Sequence, residues 1–274
     1  MKIAVCFKTT IDWSTLGEGD WVVHGGQKFP DTRFARALFG CYDESALELA
    51  IKISGEARHL SASSRLSALT VDGSPGDLFL RHLLALPYDR AIRISCDDSQ
   101  DLRFNPTATS LLISRYVEKM GGDELVLLGK QGGIGENGQT GYLVAERLGW
   151  PCVRDVMNVT LDGAGRLKVT SMVDGGTLIQ SISLPVVLIV GNTPDHAYLR
   201  VPTLKEKLAG SKKAILRVSL ADLDLDNNAL TESDRLLLEL KRQKTGRTLK
   251  MIDGRTPAEK AKYLFEHFLK GSGK

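Results

Sequence analysis

Apolar residues fall into two rhythms along this chain. Residues 3–7, 66–71, 91–95, 124–128 and 186–190 are nearly unbroken apolar runs of strand length, the pattern of strands covered on both faces. Between the first four runs the apolar positions recur with helical spacing instead. Ala46, Leu49, Ala50 and Ile53 share one face, with Asp43 as the expected N-cap. A second helix is expected over 75–86, and Asn105-Pro106 reads as cap and first turn of a third that carries Ala108, Leu111, Leu112, Tyr116 and Met120 on one side. A fourth stripe, Gly141, Val144, Ala145 and Leu148, is closed by Gly149 and Trp150-Pro151. Strand and helix in alternation predict an α/β fold with a doubly wound, mostly parallel sheet. In such sheets ligands sit beyond the carboxyl ends of the strands, where the strand order reverses.

After Pro151 the period shortens to two. Residues 156–161, the turn Asp162-Gly163-Ala164-Gly165 and residues 167–173 read as a hairpin, and Asp174-Gly175-Gly176 turns into a third strand over 177–183. Residues 9–40 are irregular, with Trp13, Trp21 and Gly25-Gly26, and 21–24 read as one arm of a hairpin. Near the end, Thr256-Pro257-Ala258-Glu259 is a capping box, and the helix behind it puts Ala261, Leu264, Phe265, Phe268 and Leu269 on one stripe. The chain thus divides into a main α/β domain over 1–218, with a β-rich part over 151–190, and a C-terminal helical arm over 219–274.

One junction carries candidate chemistry. The run 124–128 passes into a loop with four glycines in seven residues, Gly132, Gly133, Gly135 and Gly138, and leaves as the helix ending at Gly149. Glycine lets backbone approach a ligand closely, and the N–H groups of a helix start attract anions, so strand, loop and helix outline a phosphate cradle. Gly133-x-Gly135-x-x-Gly138 also matches the dinucleotide fingerprint by letter, which leaves an NAD-dependent oxidoreductase open. That fingerprint needs its first glycine at the strand end, whereas Gly129-Lys130-Gln131-Gly132 intervene, and Asp155 is the only near candidate for the acidic ribose anchor. A stand-alone adenine-nucleotide-binding protein without flavin is a further reading.

Composition narrows the class. A net charge of +3 is too small to argue for nucleic acid, and the basic runs over 205–213 and 241–250 read as solvated faces or a subunit contact. Cys6, Cys41, Cys96 and Cys152 are scattered, which suggests neither a zinc site nor a disulfide framework and implies a reduced, cytoplasmic protein. No targeting segment or membrane span is expected. His24 reads as a solvated loop histidine, and His196 has no nucleophile or paired carboxylate nearby in sequence, so no catalytic role is read for either.

Several blocks carry a family resemblance. Leu127-Leu128-Gly129-Lys130-Gln131, Gln139-Thr140-Gly141 and Leu148-Gly149-Trp150-Pro151 resemble the nucleotide loop of electron transfer flavoprotein β subunits. Tyr42-Asp43-Glu44 with the residues to Ala50, Asp174-Gly175-Gly176 followed by Leu184-Pro185, and Gly254 through Lys262 fall in family order over nearly the whole chain. The resemblance implies a Rossmann-like fold of the adenine-nucleotide-binding type, and an electron carrier rather than an enzyme. It implies AMP bound in this chain, FAD carried mainly by an α subunit in a heterodimer, and flavin dehydrogenases of acyl-CoA dehydrogenase type as donors. Nucleotide contacts carried over by position are Cys6, Gly40, Cys41, Tyr42, Asp43, Val71, Gly129, Lys130, Gln131, Gly132, Gly133, Ile134, Gly135, Glu136, Asn137, Gly138, Gln139 and Thr140. Adenine would lie against backbone near Cys6 and Val71, and phosphate against the loop N–H groups and the Thr140 hydroxyl. Residues 191–203 take the place of the recognition loop that docks the dehydrogenases, with Asn192, Pro194, Tyr198, Leu199 and Arg200 as candidate contacts. Three features depart from the family: Asn-Glu-Pro-Arg is absent from the recognition loop; Ser171-Met172 stand where an Arg-Glu pair is usual, removing charges expected near the flavin or partner; and Ile134-Gly135-Glu136 stand where the nucleotide loop commonly carries acidic residues. The last leaves AMP, a second FAD or no nucleotide open there, with Gln139-Thr140-Gly141 leaning towards AMP.

Overall fold

In the computed structural model the described residues are 1–21, 29–60, 63–95, 102–133, 135, 138–163, 165–195, 198–230, 240, 246, 249–252 and 254–270. The expected hairpin arm after Trp21, His24, Cys96, Ile134, Glu136, Asn137, His196 and most of the basic run 241–250 lie outside them. The elements run β1 (Lys2–Cys6), β2 (Thr9–Ile11), β3 (Ala37–Phe39), α1 (Cys41–His59), β4 (Arg65–Val71), α2 (Gly76–Ala85), β5 (Arg90–Ile94), α3 (Pro106–Tyr116) and β6 (Leu125–Gly129). They continue as α4 (Thr140–Leu148), β7 (Cys152–Leu161), β8 (Arg166–Val173), β9 (Gly176–Ser183), β10 (Val186–Val190), α5 (Leu204–Gly210), β11 (Ile215–Val218) and α6 (Pro257–Leu264).

Nine strands form one sheet in the order β11-β5-β4-β1-β6-β10-β7-β8-β9. From β11 to β7 every pairing is parallel, and β8 and β9 are added antiparallel. The unbroken apolar runs have a direct cause. In β1, Ile3 and Val5 enter the core under α1 and α2, while Ala4 and Cys6 enter the core under α3 and α4. A strand buried on both faces has no polar alternation to show. The chain steps from β1 outward to β4 and β5, then returns to β6 on the other side of β1. The reversal therefore falls between β1 and β6, and the ends of β4, β1 and β6 open side by side.

Two local expectations are corrected. Asp43 does not cap α1: Gly40, extended at φ −67° and ψ 145°, is the N-cap, and Asp43 is the third helical residue with a buried side chain. Its carboxylate has stronger partners than its own helix, as the site below makes clear. Strand β7 begins at Cys152 and not at 156, because its first residues pair with β10 before the hairpin with β8 begins. Other signals stand as read, among them Asn105, whose Oδ1 accepts from Ala108 N–H at 2.9 Å with Pro106 in the first turn of α3.

By internal contacts the chain divides into two compact units, Met1–Glu239 and Leu240–Lys274. Within the first, Leu223 and Leu230 are buried against the α3 and α4 side of the core. Within the second, the Thr256 capping box with Glu259 starts α6, and Leu264, Phe265, Phe268 and Leu269 are exposed on that unit. No helix among the described residues is long and apolar enough to cross a membrane.

Candidate functional site

The crevice between β1 and β6 is floored by backbone and one carboxylate. Asp43 accepts the Lys8 N–H at 3.2 Å and also the Gly129 N–H, so α1 is tied to the ends of both strands. The turn into α1 passes so close over Gly129 that a methyl group there would lie 2.8 Å from the Asp43 nitrogen and 2.9 Å from the Tyr42 carbonyl carbon. Only glycine fits. Burial pushes the Asp43 carboxyl up to about 7, against the Lys8 and Gly129 hydrogen bonds and the Lys8 charge, which favour the ionised form. Burial likewise pushes the Cys6 thiol up, so Cys6 is an inert wall residue and not a nucleophile.

The loop after β6 is shaped by what its glycines lack. Lys130 N–H donates to the Val190 carbonyl at 2.8 Å, which starts the loop along β10. Gly133 is packed directly on the Thr10 hydroxyl, and Gly135, at φ +83°, lies so close to the Arg103 carbonyl that a methyl group would come within 2.8 Å of it. Lys8 Nζ donates to that same Arg103 carbonyl at 2.8 Å, linking β1, the loop and residues 102–104. Helix α4 then begins at Thr140 with no side-chain cap on its first turn, and Gly141 lets it settle on Ile189 of β10. Cys6, Gly40 to Asp43, Gly129 and the start of the loop are thus brought to one crevice, with Val71 at the adjacent end of β4. Lys8, Thr10 and Asp72 belong to the same crevice and are not among the contacts that the resemblance carries over by position. Asp72 accepts from the Thr9 hydroxyl and the Gly73 N–H, each at 2.7 Å. Polar residues directly following an apolar strand were the available signal.

Asp155 does not serve as a ribose anchor. It sits at φ +51° where the pairing of β7 with β10 shifts register, and its carboxylate holds Lys130 Nζ at 2.5 Å and Arg154 Nε at 2.8 Å. Burial pushes this carboxyl up, but the hydrogen bonds and charges of Lys130 and Arg154 outweigh it and hold it below the usual carboxylate range. With Asp155 engaged and Gly133 four residues beyond the strand end, the fingerprint lacks both of its structural requirements. No group of His, Cys, Asp and Glu that could hold a metal occurs among the described residues.

The loop over 191–203 follows β10, the neighbour of β6. Asn192 and Pro194 are exposed and Tyr198 is 82% exposed, but Leu199 is buried at 9% and Arg200 is hydrogen-bonded to Glu48 of α1. Val201, Leu204 and Leu208 are exposed apolar residues that the sequence reading passed over. In β8 and β9, Met172, Val173, Leu178 and Ile179 are also exposed.

Comparison with known proteins agrees with this architecture. Residues 37–223 match the model of the electron transfer flavoprotein domain. The Escherichia coli (strain K12) protein YgcR, whose name assigns it provisionally as an electron transfer flavoprotein subunit, is 31% identical over 271 residues, 98% of each chain. The mitochondrial electron transfer flavoprotein subunit beta of Oryza sativa subsp. indica is 28% identical over 259 residues, 92% of this chain and 95% of its own. The human subunit beta is 33% identical over 150 residues, covering 54% of this chain and 56% of its own. The chain therefore belongs to the electron transfer flavoprotein family as a β-type member, and so among electron carriers rather than enzymes.

Proposed function

We propose that this chain is the β subunit of a heterodimeric electron transfer flavoprotein, with FAD carried mainly by the α subunit and AMP held in the crevice between β1 and β6. The observation that carries the AMP reading is the junction itself: β6, a loop in which Gly133 and Gly135 lie too close to the Thr10 hydroxyl and the Arg103 carbonyl for a Cβ, and an α4 start without a side-chain cap, all at the point where strand order reverses. Because Asp43 already occupies the Lys8 and Gly129 N–H groups, the floor suits a nucleoside and the phosphate belongs on the loop from Lys130 to Thr140. Bound FAD would supply the electron storage; this chain's residues would orient it, exclude water and set its surroundings. Near that face Ser171 is buried and Met172 half-exposed, an environment without the charges usual in the family. Tyr198, with Asn192 and Pro194, is proposed to meet a flavin dehydrogenase.

Co-expression with an α subunit, followed by size-exclusion chromatography and extraction of bound nucleotide, tests this. A yellow 1:1 complex with one FAD and one AMP is expected. Two flavins and no AMP would remove the AMP reading, and a colourless chain that stays alone would remove the carrier.

A further inference from the structure

The loop over 191–203 is pinned at its start by the Gly191 N–H, which donates to the Val156 carbonyl at 3.0 Å, and farther on by buried Leu199 and Pro202. Between those two anchors stands Arg200. Its backbone N–H donates to Glu48 Oε2 at 3.1 Å, its Nε reaches both carboxylate oxygens at 2.9 and 3.1 Å, and its Nη2 also donates to Oε1. The Glu48 side chain is 10% exposed, that of Arg200 52%. A buried carboxylate is thus gripped by the backbone and the planar fork of a single loop residue, an arrangement that an ammonium group cannot copy. The grip decides the direction of the neighbouring side chains. With Leu199 inward and Arg200 on Glu48, Tyr198 and Val201 are left outward at 82% and 79% exposure.

We propose that Arg200 is a positioning residue of the docking loop and not a partner contact: its clamp on Glu48 holds residues 198–203 so that Tyr198 and Val201 are presented together. The proposal rests on reading 191–203 as a docking loop. Glu48 stands on α1, whose first turn carries Asp43, so the loop is braced on the same helix that closes the nucleotide crevice.

Hydrogen–deuterium exchange on the full chain tests the clamp in Arg200→Gln, Arg200→Lys and Glu48→Gln. Amides of 198–203, that of Arg200 first, are expected to exchange roughly 10-fold faster or more in Arg200→Gln, with β1 and β6 unchanged and Arg200→Lys only partly protected. Unchanged protection of 198–203, or a rise spread equally over β1 and β6, would overturn the proposal. Binding to an immobilised acyl-CoA dehydrogenase separates this from the docking reading. Tyr198→Ala and Val201→Ala are expected to weaken it while leaving exchange at 198–203 as in the wild type. If wild type itself fails to bind, the docking reading falls even where the exchange result holds.

Discussion

The loops after β6 and β10 leave neighbouring strands at the same level, since Gly129 and Val190 are partners in register. They are built by opposite means. The first is shaped by missing side chains and backbone hydrogen bonds, with the buried Asp43 carboxyl at its base. The second is shaped by inserted side chains, Leu199 in the core and Arg200 on Glu48. A loop that must admit a small ligand needs its backbone uncovered, and one that must present a face needs an anchor opposite that face. They also touch: Lys130 donates its N–H to Val190 and its ammonium to Asp155, whose backbone packs on Gly191.

The largest expected effect breaks the first loop electrostatically. The folded value of Asp43, about 7, lies above that in the unfolded chain. As pH rises, the unfolded chain therefore loses this proton first, and stability falls progressively from about pH 4 to about pH 7, by up to roughly 4 kcal/mol. Urea denaturation across that range should show the slope in wild type and its loss in Asp43→Asn; parallel curves would contradict the assignment. Gly129→Ala comes next. The new methyl would strike the backbone of Tyr42 and Asp43, which cannot swing aside as a side-chain tip can. A loss of about 3 kcal/mol in urea denaturation is expected, together with weaker binding of the AMP proposed for this crevice.

Most of the frame was legible because burial writes itself into sequence. Strands covered on both faces read as unbroken apolar runs, and the Asn105 and Thr256 caps sit where their letters fall. The glycine loop was legible for the same reason, as glycine is chosen for local backbone and close approach. Asp43 was misread as an N-cap because its partners are the N–H groups of Lys8 and Gly129, 35 residues away in the first case. The pairing of Arg200 with Glu48 was not legible for a similar reason: Glu48 lies 152 residues away, and no periodicity links them. Leu199 alternates inward within an irregular segment whose period gives nothing to count.

The second loop should fail differently from the first. Arg200→Ala strips a buried carboxylate of its donors and is expected to cost about 2 kcal/mol in urea denaturation at neutral pH, more than Glu48→Gln, which removes the buried charge along with the pair.

The smallest effect has the opposite sign. The Thr10 hydroxyl packs on Gly133, is shielded from solvent and has no hydrogen-bond partner among the described residues. A buried hydroxyl without a partner is unfavourable, so Thr10→Val, which keeps the branched shape, should be neutral or stabilising by up to about 1 kcal/mol. Comparing it with Arg200→Ala under one set of conditions sharpens the contrast. If the glycine stretch is shaped by close backbone approach and the loop after β10 by a side-chain ion pair, the Thr10 hydroxyl is dispensable beside the first and the Arg200 guanidinium indispensable beside the second. A loss of 2 kcal/mol or so in Thr10→Val would show that the glycine stretch, too, leans on a side-chain hydroxyl.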